Sequence, residues 1–140
     1  MNSTDALILP GGDTWMESIH GPIMNISEQC IKQNILVAAI CGATTALAQN
    51  GLLDSRRHTS NDLGYLKMVC PGYNGEKYYQ NEPAVTDGKL ITASGVAPLQ
   101  FARHVLEALD VFLSRTLDAW YLLNKTCEAE HFYELMKTIQ

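Results

Sequence analysis

Charge is scarce in this chain of 140 residues, and its balance is negative: 10 Lys and Arg stand against 15 Asp and Glu, a formal net charge of −5. That sign argues against nucleic acid or an anionic membrane surface as a partner. No stretch approaches the ~18 uncharged apolar residues that a membrane span needs. The opening Met1-Asn2-Ser3-Thr4-Asp5 has neither the basic nor the apolar part of a secretory signal, and a cytoplasmic address is the expectation. Cysteine is sparse as well. Cys30, Cys41, Cys70 and Cys127 stand far apart, with no C-x-x-C pair and no Cys/His cluster at zinc spacing. Reduced thiols and no metal are expected. Phosphate-loop chemistry is missing too: Gly11-Gly12 has neither the third spaced glycine of a dinucleotide turn nor a following Lys-Ser/Thr, so no cofactor is expected. There are no repeats, low-complexity tracts or linkers. With 46% apolar and 18% charged residues, disorder is excluded, and one domain over residues 1–140 is the natural reading.

The apolar residues fall into an α/β pattern. Ala6-Leu7-Ile8-Leu9, ended by Pro10-Gly11-Gly12, and Leu36-Val37-Ala38-Ala39-Ile40, ended by Cys41-Gly42, are short unalternated runs, the mark of strands covered on both faces. Between them, Ile23, Ile26, Cys30 and Ile31 recur at helical steps over residues 21–34, completing a βαβ unit. A second helix runs from Ala43 towards Asn50-Gly51. Residues 56–60 are read as a brief third strand, and residues 61–81 as loop or broken helix. Asp87-Gly88 between two β-rich runs predicts a type I′ hairpin. Pro98 opens a helix with Phe101, Val105, Leu109 and Phe112 inward. One last helix over residues 117–139 carries Trp120, Leu123, Cys127, Phe132, Leu135, Met136 and Ile139 along a stripe, covering a sheet face or a dimer interface.

Cys41 sits where a buried strand gives way to a helix within two residues. At so sharp a turn the side chain is pushed out of the sheet top, and the backbone requires small neighbours, here Gly42 and Ala43. The positive end of the following helix favours a thiolate. The Gly42 amide can donate to a developing oxyanion. A second donor is available at Gly12 if the turn after Leu9 opens at the same sheet edge, where open α/β sheets bind ligands. Read alone, both turns are also consistent with ordinary βα connections and an incidental thiol; the Gly-Gly pair is what favours function.

Leu7-Ile8-Leu9-Pro10-Gly11-Gly12, then Ala38-Ala39-Ile40-Cys41-Gly42-Ala43-Thr44, and then Thr86-Asp87-Gly88-Lys89-Leu90-Ile91-Thr92-Ala93-Ser94-Gly95 before a helix together resemble the ThiJ/PfpI family of the class I glutamine-amidotransferase-like superfamily. The resemblance covers about residues 5–113, leaving 115–140 as a C-terminal helical extension. It implies a flavodoxin-like three-layer sandwich with a mostly parallel sheet, often dimeric, and a reactive cysteine at the elbow. Members include intracellular peptidases, amidases, glyoxalase or deglycase-type enzymes and redox-responsive proteins. Transferred by position, Cys41 is the nucleophile and Gly12 and Gly42 are the oxyanion donors.

Two departures stand out. The family's usual histidine position falls on Asn61, which can orient a substrate or a water but cannot take a proton. His58, three residues earlier, is a candidate base only if the strand ends early and the loop bends. His20, His104 and His131 have no reason to converge on Cys41. Relatives also begin with a strand–helix unit whose glutamate meets the cysteine. Only five residues precede Ala6 here, so an incomplete chain or a covering polypeptide at an open edge is expected. Asp13 is the nearest acid, with a helix N-cap or turn as its plainer role. Trp15 and the aromatic stretch from Tyr65 to Tyr79 either line the site or pack. A cysteine-dependent hydrolase or amidotransferase-like protein acting on a small amide or carbonyl compound is the first expectation. A non-catalytic thiol that senses an oxidant, or a small-molecule-binding module, is the alternative.

Overall fold

Four short strands and six helices occupy residues 6–139, the part of the chain that the computed structural model describes; residues 1–5, on which the cytoplasmic expectation rests, and Gln140 lie outside it. In chain order they are β1 (Ala6–Leu9), α1 (Gly21–Lys32), β2 (Leu36–Ile40), α2 (Gly42–Gln49), α3 (Leu63–Val69), β3 (Ala84–Asp87), β4 (Leu90–Ala93), α4 (Pro98–Ala108), α5 (Ser114–Thr126) and α6 (Ala129–Thr138). The sheet order is β1-β2-β4-β3. The first three run parallel and β3 is antiparallel to β4.

Alternation along the strands builds two cores. Val37 and Ala39 of β2 join Leu9, Leu90 and the apolar faces of α1, α2 and α3. Leu36 and Ala38 point the other way, with Ile91, to meet Phe101 and Val105 of α4. With helices on both faces, this is the three-layer flavodoxin-like sandwich the motifs imply. Helix α2 is buried from Ala43 to Ala48 and built largely of alanine and threonine, so it lies close on β2. It ends at Asn50 and at Gly51, whose φ of 71° is a conformation glycine adopts without penalty. Strand β1 is the sheet edge, and Ile8 there is 44% exposed.

Three local expectations need correction. Residues 56–60 form no strand; the segment makes a single parallel bridge, His58 to Tyr79. Threonine hydroxyls take up bonds a ladder would use: the Thr59 N–H donates to Thr92 Oγ1 at 2.9 Å, and Thr59 Oγ1 to the Glu82 carbonyl at 2.8 Å. In the hairpin the register pairs Asp87 with Leu90, so the two-residue loop is Gly88-Lys89. Only Gly88 has a positive φ, 60°, which is the type II′ pattern and not type I′. The single long C-terminal helix is two. Cys127 adopts the left-handed conformation (φ 60°, ψ 20°) and caps α5, turning the chain into α6. α5 packs on α4, and α6 on α5, in place of the sheet face. Phe112 lies beyond the end of α4, and Phe132, Met136 and Ile139 are exposed. Among the described residues no helix is long and apolar enough to cross a membrane.

The left-handed conformation costs a non-glycine residue roughly 1–2 kcal/mol. Cys127→Gly should therefore raise the thermal midpoint by a few degrees, whereas Cys127→Val, β-branched at the same φ, should lower it; differential scanning calorimetry reads both.

Candidate active site

β1 and β2 are parallel neighbours with Leu9 opposite Ala39, so both chains leave the sheet at the same edge. One turn is Pro10-Gly11-Gly12, the other Cys41-Gly42. They interlock. A Cβ on Gly42 would lie 2.0 Å from the Gly12 carbonyl oxygen, so only glycine fits there. A Cβ on Gly11 would stand 3.1 Å from the Cys41 Cβ. From a third side, β4 ends beside β2, and a Cβ on Gly95 would come within 2.8 Å of Cys41 Sγ.

Cys41 itself has φ 60° and ψ −128°, a region that side-chain-bearing residues rarely occupy and that costs about 1–3 kcal/mol. The surroundings impose it. The Cys41 N–H donates to the Ala93 carbonyl at 3.0 Å. Its carbonyl accepts from the Thr44 N–H at 3.0 Å and from Thr44 Oγ1 at 2.6 Å. Because Thr44 spends its hydroxyl proton there, Ser60 Oγ donates to Thr44 Oγ1, at 2.7 Å, in a buried pair. The thiol is half-buried and lines a cleft of about 160 Å³ together with Gly12, Asp13, Trp15, Met16, Gly42, Thr45, Asn61 and Tyr65. The Trp15 indole N–H donates to the Pro10 carbonyl at 2.8 Å, holding the ring at the mouth of the diglycine turn. Gly42 is the first residue of α2, where an N–H has no intrahelical acceptor. Among the described residues neither the Gly12 nor the Gly42 N–H donates to a backbone carbonyl.

Asn61 is brought to the thiol. Its Oδ1 accepts from the Gly95 N–H at 2.8 Å, which fixes the amide so that Nδ2 donates to Cys41 Sγ at 3.5 Å. His58 is not. Fully buried, it donates from Nδ1 to the Arg56 carbonyl at 2.6 Å and accepts at Nε2 from the Tyr73 hydroxyl at 2.6 Å. Both ring nitrogens are thus committed away from Cys41, and burial holds the imidazole below its ordinary pKa, outweighing the Arg56 carbonyl and the Asp54 charge, which act in the opposite direction. His20 lies against Trp15 with Nε2 by Thr14 Oγ1, His104 meets Thr86 Oγ1, and His131 sits between Glu128 and Glu130. Asp13 precedes the 3-10 turn Thr14–Met16 but makes no capping bond; it lines the cleft instead. Gly95 closes the hairpin motif in the sequence, but its place against the sulfur follows only from β4 pairing with β2.

Strain held at a reactive residue predicts a trade-off. Cys41→Gly should be more stable than the parent by about 1 kcal/mol in urea unfolding, while Gly42→Ala, meeting the Gly12 carbonyl, should be markedly destabilised. Acid sensitivity follows from the depressed His58 and from His104, lowered by burial. Below the unfolded pKa near 6.5 the unfolded chain binds more protons, so stability is full above that pH and is lost as pH falls towards the folded values. Urea midpoints should therefore drop between about pH 7 and pH 5, and His58→Gln, less stable overall, should show a flatter profile.

A sequence profile described as the DJ-1/PfpI family matches residues 1–108. The uncharacterized protease YoaZ of Bacillus subtilis is 56% identical over 139 residues, covering 99% of this chain and 66% of its own length. The crystal structure of a thiJ/pfpI family protein from Bacillus anthracis superposes with a TM-score of 0.95 at 57% identity, covering 97% of this chain and 64% of that one. A DJ-1 superfamily protein from Agrobacterium tumefaciens gives a TM-score of 0.78 at 34% identity over 93% of this chain and 67% of its own. The chain spans just under two-thirds of the length of the first two of these relatives, and, matched by the family profile over residues 1–108, it belongs to the DJ-1/PfpI family.

Proposed function

We propose that the chain carries a cysteine-dependent hydrolase or amidotransferase-like activity on a small amide or carbonyl compound, with Cys41 as nucleophile. The observation that carries this reading is the backbone of Cys41, held in a disfavoured conformation that aims its sulfur into a cleft of about 160 Å³. Strain maintained by surrounding bonds at a half-buried thiol that lines a cleft is characteristic of an active site. The cleft is well below the size of a drug-like pocket, which suits a compact substrate. Sγ would attack the carbonyl carbon as the C=O π pair moves onto oxygen, and the amides of Gly12 and Gly42, with no competing backbone acceptor, would hold that charge. Asn61 donates to the sulfur and would orient it. With no ring nitrogen bonded to Cys41 among the described residues, the thiol proton would pass to solvent, and solvent would protonate an amine leaving group.

That same observation favours a second reading, a thiol that forms adducts or responds to oxidants without turnover, on the inherited site. In either case the partner is a small molecule. A homodimer and a cytoplasmic setting complete the proposal.

Turnover on a panel of amides and α-oxoaldehydes separates the two. The first reading expects activity that Cys41→Ser abolishes and that Asn61→His, by installing a base beside the sulfur, raises by about tenfold or more. Rapid iodoacetamide labelling of Cys41, with no turnover by the parent or by Asn61→His, would leave only the second. Slow labelling of Cys41, no faster than of exposed Cys127, would remove both.

A further inference from the structure

Every group lining the cleft around Cys41 is neutral except one. Gly12, Trp15, Met16, Thr45, Asn61 and Tyr65 bring no charge, and Asp13 brings a carboxylate. Asp13 is exposed, caps nothing and forms no salt bridge among the described residues, so neither a structural bond nor a paired cation accounts for its placement. Beside it stand two aromatic side chains, Trp15 and Tyr65. The Trp15 ring is fixed in place by its indole bond to Pro10. A carboxylate and two aromatic side chains, one of them held by a hydrogen bond, around a small volume suit a compact cation, which the charge attracts and to whose binding aromatic rings add. Among the described residues no Lys, Arg or His lines the cleft, so no cationic side chain offsets the Asp13 charge there.

We infer that Asp13 makes this cleft selective for small cationic compounds, such as carbonyl or amide compounds bearing a protonated amino group, and that it excludes carboxylate-bearing ones. The inference rests on the reading of Cys41 as an accessible reactive thiol, though not on turnover. Asp13 acts here as a specificity-determining residue: the ammonium lies by its carboxylate and the reactive carbon by Cys41 Sγ, with Trp15 between the two turns.

Charged thiol reagents test this on the intact chain without any substrate. Methanethiosulfonates bearing 2-aminoethyl, methyl and 2-sulfonatoethyl groups present a cation, a neutral group and an anion. Each transfers its alkylthio group to the thiolate as sulfinate leaves, and peptide mapping reports labelling at Cys41 alone. The cation should react about tenfold faster than the anion at low salt, a ratio consistent with one unit charge several ångströms away. Asp13→Asn should shrink that ratio to about twofold, Asp13→Glu should keep most of it, and added salt should weaken it in the parent. Labelling at Cys41 with a cation-to-anion ratio unchanged by Asp13→Asn overturns the inference while leaving the nucleophile reading intact. Selective labelling that Asp13→Asn abolishes supports it, even from a chain that turns over nothing. Failure of all three reagents at Cys41 overturns both readings.

Discussion

The site exists because two glycine turns touch. Where β1 and β2 leave the sheet side by side, the Gly12 carbonyl lies against the Cα of Gly42, in space that any side chain would fill. That contact sets the distance between the diglycine bend and the elbow, and with it the width of the cleft. Gly11 and Gly95 extend the same logic around the sulfur, each leaving out a Cβ that would crowd Cys41. The thiol gains its exposure from what its neighbours lack. The closeness of the two turns and the room left around the half-buried sulfur both follow from these missing side chains.

The four cysteines show how far environment decides chemistry. Cys30, on the inner face of α1, is closed in the core. Cys70 is buried, donates to the Thr45 carbonyl at 3.4 Å, and has its thiol pKa pushed up by desolvation, which makes it a poor nucleophile. Cys127 is exposed but serves the backbone, turning α5 into α6. Only Cys41 combines access, a cleft and backbone donors.

Much of this was legible in the residue order. Unalternated apolar runs located β1 and β2, helical spacing located α1, and small residues after Ile40 located the elbow, because each depends on local sterics. What escaped depended on side chains finding distant partners. Residues 56–60 are read from the sequence as a strand, yet Thr59 bonds to Thr92 and Glu82, and no ladder forms. His58 was placed as a possible base by its proximity to Asn61 in sequence; a Tyr73 hydroxyl fifteen residues away claims its free nitrogen. The break at Cys127 has no sequence signal of its own, since cysteine is not a residue that favours a left-handed cap. The II′ turn required knowing the register: Asp-Gly and Gly-Lys both sit in the hairpin, and the pairing of Asp87 with Leu90 chooses between them.

The run of hydroxyls from Ser60 through Thr44 to the Cys41 carbonyl is directional, each proton having one place to go. It is also entirely uncharged and shut away from water, with Thr44 and Ser60 both buried. The posture of the nucleophile is consequently held by dipoles that neither ionic strength nor mild acidity can titrate or screen. Its mechanical setting and its electrostatic tuning are separate variables, and either can change over evolutionary time without disturbing the other.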